Sequence, residues 1–369
     1  MLNRAAVSNK EPIFHMVKRD RISVKKAWII RGITLLIALI VCAAFIVPIT
    51  HLNPFEVYSG IVDGAVGNER RLWVTIRELC VLLCVAIGLT PAFKMKFWNI
   101  GGEGQILMGA VACSALMIYA GDSIPLPLLI ILLFIASAFA GMIWGLIPAL
   151  FKAYFNTNET LFTLMLNYVA IQIVNCCIVI WENPAGSNTV GIINKATKAG
   201  WFPKVFDMTY GLNVILVALL TVFIFIFMKY SKMGYEISVV GESIDTARYA
   251  GINVKKVIIK TMALSGAICG FAGSLIVSGA SHTISTSTGG GFGFTAIIVA
   301  WMAKFNPFAM ILVSGILIFM QQGSIQIATQ FGLNENASDI ITGVILFFLI
   351  GCEFFINYKL EIRKSEKEV

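Results

Sequence analysis

The sequence predicts an all-α, polytopic membrane protein with about ten transmembrane helices arranged as two inverted five-helix halves. Three observations predict this class: the composition, the length of the apolar stretches, and the distribution of basic residues. Hydrophobic residues make up 58% of the 369-residue chain and charged residues only 13%, whereas soluble domains carry about 25% charged residues. Apolar stretches of roughly 17–25 residues recur along the chain, the length that crosses about 30 Å of hydrocarbon.

Charged or glycine- and proline-rich joints separate the predicted spans. The eighth span is short, so we expect it to be a half-helix or a span broken by its glycines. In order, the spans are 28–49, 74–91, 97–120, 125–150, 160–181, 211–229, 258–280, 289–303, 307–330 and 338–357.

Lys and Arg residues fix the predicted orientation. With the amino terminus inside, all but six of the 28 basic residues fall on the inner side, as positively charged inner loops require. The six outer residues are Arg70, Arg71, Arg77, Lys195, Lys198 and Lys204. We therefore predict a cytoplasmic basic amino terminus (1–27), one transmembrane domain (28–357) and a cytoplasmic tail (358–369). The net charge of +8 follows from this topology and gives no reason to expect nucleic-acid binding.

Two glycine-rich breaks occupy corresponding positions in the two predicted halves. The sequence GGEGQ (101–105) opens the third span, and GGGFGF (289–294) opens the eighth. Irregular backbone within a membrane is tolerated only where it faces protein or a water-filled cavity. Matched breaks of this kind point to a solute pathway, although glycines also permit close helix packing. Glu103 requires either contact with water or a functional role, because a charge in the bilayer centre costs roughly 3 kcal/mol or more.

The longest inner connection (230–257) is also the most polar. Within it, ESIDTARYAG (242–251) predicts a short helix on the cytoplasmic face, capped by Ser243 or Asp245 and ended by Gly251. Such a short helix is marginal in water, so we expect it to pack on something.

Four ordered motifs together resemble one known family. GESIDTARYAGINV and LSGAICGFAGS (241–254 and 264–274) resemble the coupling-helix region of bacterial ABC-importer permeases of the ribose, galactose, branched-chain amino acid and nucleoside systems. FWNIGGEGQILMGA (97–110) is similar to the nucleoside subgroup, as are TNETLFTLMLNYVA (157–170) and GFGFTAIIVAWMAKFNP (291–307). The chain departs from the family pattern at Ser243-Ile244, where Asn-Pro is usual, and at Lys96, where glycine is common.

The resemblance implies a translocation subunit in the bacterial plasma membrane that imports nucleosides or related simple sugars. The chain carries no G-x-x-x-x-G-K-[ST] motif, so a separate ABC ATPase subunit would hydrolyse ATP. An extracellular solute-binding protein and a second, identical or similar permease are the other implied protein partners, beside membrane lipid. The residues implied to contact the ATPase are Gly241, Glu242, Asp245, Thr246, Ala247, Arg248, Gly251 and Ile252.

Side-chain type and position identify candidates for the solute pathway. Amides and carboxylates can hydrogen-bond solute hydroxyls, and aromatic rings can stack on a solute ring. The candidates are Asn99, Glu103, Gln105, Asn167, Phe292 and Phe294. For Glu103, a structural anchor bonded to a neighbouring helix or backbone amide is the alternative. Asn158 and Glu159 are better interpreted as caps of the fifth span.

Two other functional classes share some of these features. An ion-coupled secondary transporter also uses inverted repeats and an intramembrane carboxylate, but Glu78 and Glu353, the further candidates for an ion site, lie near span ends. A membrane enzyme would need a nucleophile, a metal cluster or an acid–base pair, and the sequence suggests no catalytic residue. His15, His51 and His282 stand apart without neighbouring ligands, so no metal site or cofactor is predicted.

Overall fold

A computed structural model describes residues 53–205 and 208–332 of the chain without a gap. It also describes the strands Phe14–Lys18 and Tyr358–Ile362 and single helical positions within 29–47 and 340–351. The predicted first and tenth spans therefore lie largely outside the described residues. Two compact units are distinguished, Ala65–Phe319 and a smaller unit formed by Met1–Gly64 with Met320–Val369.

The described chain is helical in its regular elements apart from the two short strands. Seven helices of the described chain are long and apolar enough to cross a membrane, and they coincide with seven of the predicted spans. In chain order the helices are α1 (Pro54–Val66), α2 (Glu69–Lys94), α3 (Gly102–Ala120), α4 (Leu126–Phe155), α5 (Glu159–Trp181), α6 (Gly211–Tyr230), α7 (Lys232–Glu242), α8 (Ile244–Tyr249), α9 (Val254–Ile276), α10 (Phe292–Met302) and α11 (Pro307–Phe331).

Helix α9 forms the centre of the larger unit and packs on α2, α3 and α4. Glycines make this packing possible, because they let helix backbones approach closely. A Cβ atom at Gly270 would lie 2.4 Å from the carbonyl oxygen of Ser137, and one at Gly109 would lie 2.1 Å from that of Gly270. A Cβ at Gly141 would likewise lie 2.4 Å from the carbonyl oxygen of Gly266. Helices α3 and α4 therefore each contact α9 through their backbones.

Side-chain caps define several helix starts. Asn158 accepts a hydrogen bond from the Leu161 amide at the start of α5, as its sequence position predicts. Ser243 accepts one from the Thr246 amide at the start of α8. These bonds satisfy backbone donors that the first turn of a helix leaves free. The predicted capping of this short helix by Ser243 is confirmed.

The eighth predicted span is a half-helix. Helix α10 has 11 residues, which at 1.5 Å each give about 16 Å, roughly half the hydrocarbon thickness. Gly291 precedes it with a φ of +71°, a left-handed conformation that glycine adopts without steric cost. The expectation of a half-helix is therefore confirmed, whereas the total of ten spans and the inverted arrangement stay predictions.

The smaller unit contains the two described strands and α1. Strands β1 (Phe14–Lys18) and β2 (Tyr358–Ile362) pair antiparallel, with Phe14 opposite Ile362. Helix α1 packs on residues 320–331 of α11, where a Cβ at Gly323 would lie 2.5 Å from the Ile61 side chain. The sequence predicts neither strand and no helix at Pro54–Val66, because these segments are short and flank the predicted spans.

Candidate functional site

A non-helical stretch in which buried and exposed residues alternate connects α2 to α3. We call residues 95–101 the junction segment. Met95, Phe97 and Asn99 are buried within it, and Lys96 has a φ of +60°, a conformation that a non-glycine residue adopts only at an energetic cost. The junction segment contains the NIG part of the motif that opens the third predicted span, so the chain is irregular where the glycine pair predicts a break.

Side-chain amides satisfy the backbone of the junction segment. The Asn99 side chain donates to the side-chain oxygen Oε1 of Gln105 (3.3 Å) and accepts from its side-chain nitrogen Nε2 (3.2 Å). Its oxygen also accepts from the Gly101 backbone N–H at 3.1 Å, and its nitrogen donates to the Ser265 hydroxyl on α9 at 3.2 Å. Buried polar groups need such partners, since an unpaired one costs about 1–3 kcal/mol.

Helix α5 supports the same segment from another side. The Asn167 oxygen accepts from the Gly104 amide at 2.8 Å, and its nitrogen donates to the Ile100 carbonyl at 3.0 Å. Thr163 accepts from the Ile100 amide at 3.2 Å. The side chains of α5 and α9 thus hold an irregular backbone in the protein interior, as membrane proteins require.

Glu103 joins the two glycine-rich breaks. Its carboxylate oxygens accept hydrogen bonds from the backbone amides of Gly291 (3.0 Å) and Gly293 (2.9 Å). These amides lie at the amino end of α10, where the helix dipole favours a negative charge. A Cβ at Gly293 would lie only 2.2 Å from the Glu103 backbone nitrogen. We call this arrangement the glycine clamp.

The structure brings four of the six predicted pathway residues together. Asn99, Gln105 and Asn167 form the amide network around the junction segment, and Glu103 forms the glycine clamp one turn away. Phe292 is buried at the start of α10, whereas Phe294 is 45% exposed. The bonds of Glu103 to backbone amides have the geometry that the anchor alternative expects. Contact with a solute stays a prediction for all six residues.

Sequence reasoning missed two side chains of this site and one aromatic cluster. Ser265 and Thr163 contact the junction segment, but nothing in their local sequence distinguishes them from other hydroxyl residues in apolar spans. Trp98 and Trp301 stack with ring centroids 5.5 Å apart, and both are partly exposed. Their proximity in space has no counterpart in the sequence, where about two hundred residues separate them.

The predicted ATPase-contact residues occupy α7, α8 and the following turn. Gly241 and Ala247 are buried, Ile252 is half-buried, and the other predicted residues are exposed. Arg248 and Asp245 lie 3.4 Å apart on the exposed face of α8, as their spacing predicts. Tyr249 is 94% exposed. Helix α8 therefore presents both charges and a large ring to its surroundings.

Helix α7 touches the carboxyl end of α2 backbone to backbone. A Cβ at Gly241 would lie 2.1 Å from the Lys94 carbonyl oxygen and 3.2 Å from the Met95 Cα. No side chain other than glycine's hydrogen fits between these backbones. The connection between α6 and α9 is therefore packed directly against the residues that lead into the junction segment.

His282 follows the π-helical turn at the end of α9. Its ring stacks on Trp201 with centroids 3.7 Å apart and an interplanar angle of 2°. The His282 carbonyl accepts from the Ile193 amide at 2.8 Å, and its Nδ1 is buried without a hydrogen-bond partner among the described residues. Burial lowers the pKa of His282, and the positive charge of Arg77 lowers it further.

These features define the class of protein. The described residues contain seven long apolar helices, a half-helix that begins at glycines, and an irregular segment satisfied by buried amides. This combination is typical of multi-pass membrane transport proteins. No group of three or more His, Cys, Asp or Glu side chains that could hold a metal occurs among the described residues.

Family comparison gives the particular assignment. The family model described as branched-chain amino acid transport system / permease component matches residues 75–350. The chain belongs to this family and is a transport permease, and the family is one of permease subunits rather than enzymes.

Three curated relatives extend over most of the chain. It is 27% identical to the nucleoside ABC transporter permease protein NupB of Lactococcus lactis, covering 85% of this chain and 88% of the relative. It is 28% identical to the guanosine ABC transporter permease protein NupP of Bacillus subtilis, covering 79% and 84%. A glucose ABC transporter permease protein of Haloferax volcanii is 26% identical, covering 91% of both chains. No solved structure matches this chain.

Proposed function

We propose that this permease imports nucleosides or related solutes such as simple sugars, with energy from a separate ABC ATPase subunit. The observation that carries the proposal is the similarity, over more than three quarters of the chain, to permeases named for nucleosides and guanosine. The site is compatible with a polar solute, because amides and a carboxylate gather at a break in the membrane-spanning helices.

The proposed pathway lies along the junction segment and the glycine clamp. Asn99 and Gln105 bond each other, and Asn167 bonds the backbone of Ile100 and Gly104. These three amides could exchange their present hydrogen bonds for bonds to a solute. Phe294 has an exposed ring that could stack on a nucleobase. Glu103 and Phe292 are the remaining proposed pathway residues. Glu103 also joins the two glycine-rich breaks through its bonds to Gly291 and Gly293.

The ATPase contact is proposed for residues 241–252. Its support is the exposed face of α8, where Asp245, Arg248 and Tyr249 are available to a partner. Two of the relatives are named as ABC transporter permeases, which supports an ATPase, a solute-binding protein and a second permease as partners. We propose these three partners as classes of protein.

The proposed topology has both termini in the cytoplasm, ten spans and two inverted halves. The basic residues support this orientation. The antiparallel pairing of β1 with β2 supports an even number of crossings, because it brings the two terminal segments together. The contact between the matched glycine breaks supports a relation between the halves.

Uptake assays test the proposed solute and the energy source together. Cells that lack this gene should lose uptake of radiolabelled guanosine, adenosine or cytidine, and a plasmid copy should restore it. We expect ATP depletion to abolish uptake and a protonophore used at preserved ATP levels to leave it intact. Uptake that stops with the protonophore alone would instead indicate an ion-coupled transporter, and unchanged nucleoside uptake in the deletion strain would contradict the proposed solute.

A further inference from the structure

We propose that the junction segment transmits movement of α7 and α8 to the glycine clamp, and that Gly241 and Ser265 are the positioning residues for this transmission. The inference rests on the proposed ATP-driven function. It assigns a physical route between the cytoplasmic helices and the break in the third span. Two independent contacts carry it, and both end on the junction segment.

The first contact is the backbone approach of α7 to the end of α2. Gly241 lies so close to the Lys94 carbonyl that a Cβ would be 2.1 Å from its oxygen. Densely packed contacts of this kind cannot compress, so a displacement of α7 must displace Lys94 as well. Lys94 ends α2, and the junction segment begins at the next residue. A push on α7 is therefore delivered to the start of the junction segment.

The second contact comes through α9. Only the residues 250–253 separate α8 from α9, so α9 must follow a movement of α8. Ser265, in the middle of α9, accepts a hydrogen bond from Asn99 at 3.2 Å. Asn99 in turn accepts from the Gly101 amide and exchanges hydrogen bonds with Gln105. A shift of α9 is therefore delivered to the end of the junction segment.

The junction segment leads directly to the glycine clamp. Gly101 caps α3 at its amino end, and Glu103 in the first turn of α3 binds the amides of Gly291 and Gly293. Lys96, with its positive φ, places an unfavourable backbone conformation between the two contacts. Segments held in such conformations are suited to change between two arrangements. Rotation there would alter how the amino ends of α3 and α10 meet.

The variant Ser265→Ala tests the second contact. The permease is purified with its ATPase and binding-protein partners and placed in proteoliposomes, and nucleoside uptake and phosphate release are measured in the same sample. We expect the solute transported per ATP hydrolysed to fall about fivefold, the factor that one lost hydrogen bond corresponds to. Ser274→Ala is the matched control: Ser274 is buried on the same helix, but its hydroxyl donates only to the Phe271 carbonyl of that helix at 2.7 Å.

The variant Gly241→Ala tests the first contact. The alanine Cβ would clash with the Lys94 carbonyl, so we expect α7 to lose its backbone contact with α2. The amount of solute transported per ATP hydrolysed should then fall. Gly315→Ala is the control, because a Cβ there would meet only the Leu79 side chain at 3.5 Å. The ratio distinguishes transmission from folding, since a merely structural defect lowers transport and hydrolysis in proportion to the assembled complex.

The outcomes separate this inference from the proposed function. A wild-type ratio in the assembled Ser265→Ala complex, or in the assembled Gly241→Ala complex, would overturn the inference while leaving the importer intact. A wild-type complex that shows no ATP-dependent uptake would overturn the proposed function itself. Lowered ratios in both variants, with wild-type ratios in both controls, would support the route through the junction segment.

Discussion

Glu103 shows how one residue can carry a charge inside a membrane protein. Its carboxylate accepts two backbone hydrogen bonds at the amino end of α10, so the protein supplies the partners that water would otherwise provide. Hydrogen bonds to an ionised group contribute about 1.5–3 kcal/mol each. The favourable helix dipole adds to this stabilisation. A residue with this geometry is expected to hold two helices together whether or not it also meets a solute.

We predict that Glu103→Gln lowers the stability of the permease by about 1–3 kcal/mol. A glutamine side chain has one acceptor oxygen, so one of the two glycine amides would face an NH₂ donor. The measurement is the thermal unfolding midpoint in detergent, together with membrane abundance and uptake. Glu69→Gln is the control, because Glu69 is exposed at the start of α2. Normal stability with lost uptake would indicate that Glu103 acts as a solute ligand instead.

His282 is a second residue whose environment determines its charge. Burial against Trp201 lowers its pKa below the ordinary value of about 6.5. A lowered pKa means that the folded state binds its proton less readily than the unfolded state does. The contribution of His282 to stability is therefore complete above pH 6.5 and is lost as the pH falls through the folded-state pKa.

We predict a local change at the Trp201–His282 stack when the pH is lowered from about 7.5 to 5. Protonation would place a charge in a partly buried site near Arg77, so the ring contact should weaken. Tryptophan emission recorded against pH measures the change, and His282→Asn should remove this component of the titration. The variant Trp201→Phe shows how much of the pH-dependent emission comes from the other tryptophans. An identical titration curve in His282→Asn would show that another group is responsible.

At the scale of single elements, α8 is the one with the most exposed functional candidates. Its Arg248–Asp245 pair is largely exposed, and exposed pairs contribute at most about 1 kcal/mol to stability. We therefore predict that Arg248→Glu leaves the permease folded and inserted but reduces uptake at least about tenfold, because reversing a charge disrupts an interface.

The Arg248→Glu experiment measures uptake and co-purification of the ATPase subunit. Lys232→Glu is the matched charge reversal, since the Lys232 side chain is 90% exposed at the start of α7, outside the proposed contact. Wild-type uptake by Arg248→Glu would remove α8 from the proposed coupling contact. Equal losses in the two variants would point to a general effect of charge.

Local signals predicted some elements of this fold and not others. Hydropathy predicted the seven long helices, because each is a continuous apolar run. The cap at Ser243 and the left-handed Gly251 predicted α8. The sequence predicts α7 only as part of a connection, because its 11 residues include two glycines and only a short apolar stretch. Its helical state depends on packing that includes the Gly241–Lys94 contact.

The partners of the predicted site residues could not be derived from the sequence. Glycine spacing identified both breaks, but Glu103 and Gly291 are 188 residues apart. Similarly, Asn99 and Ser265 are separated by 166 residues. Such contacts arise from the tertiary arrangement of helices, about which local hydropathy and capping carry no information. The sequence therefore predicts which residue types form the site, but not which residues bond each other.

For the whole molecule, the orientation is the property with the widest consequences. We predict that, in a variant without native cysteines, Lys198→Cys reacts with an impermeant thiol reagent from outside, and Asp245→Cys reacts only from inside. Both positions are exposed in the structure, so access depends on the side of the membrane. The measurement is labelling of intact cells and of inverted vesicles. The reverse pattern would overturn the orientation and the proposed ATPase contact together.

The glycine clamp also has a consequence for biosynthesis. Glu103 leaves the ribosome long before its hydrogen-bond donors, since Gly291 follows it by 188 residues. At about 5–20 residues per second, this interval lasts roughly 10–40 s. During that time a carboxylate at the start of α3 has neither of its glycine amides, so we expect α3 to stay near water or in the insertion machinery until α10 is made. The third span would then gain its final hydrogen bonds from a segment synthesised 188 residues later.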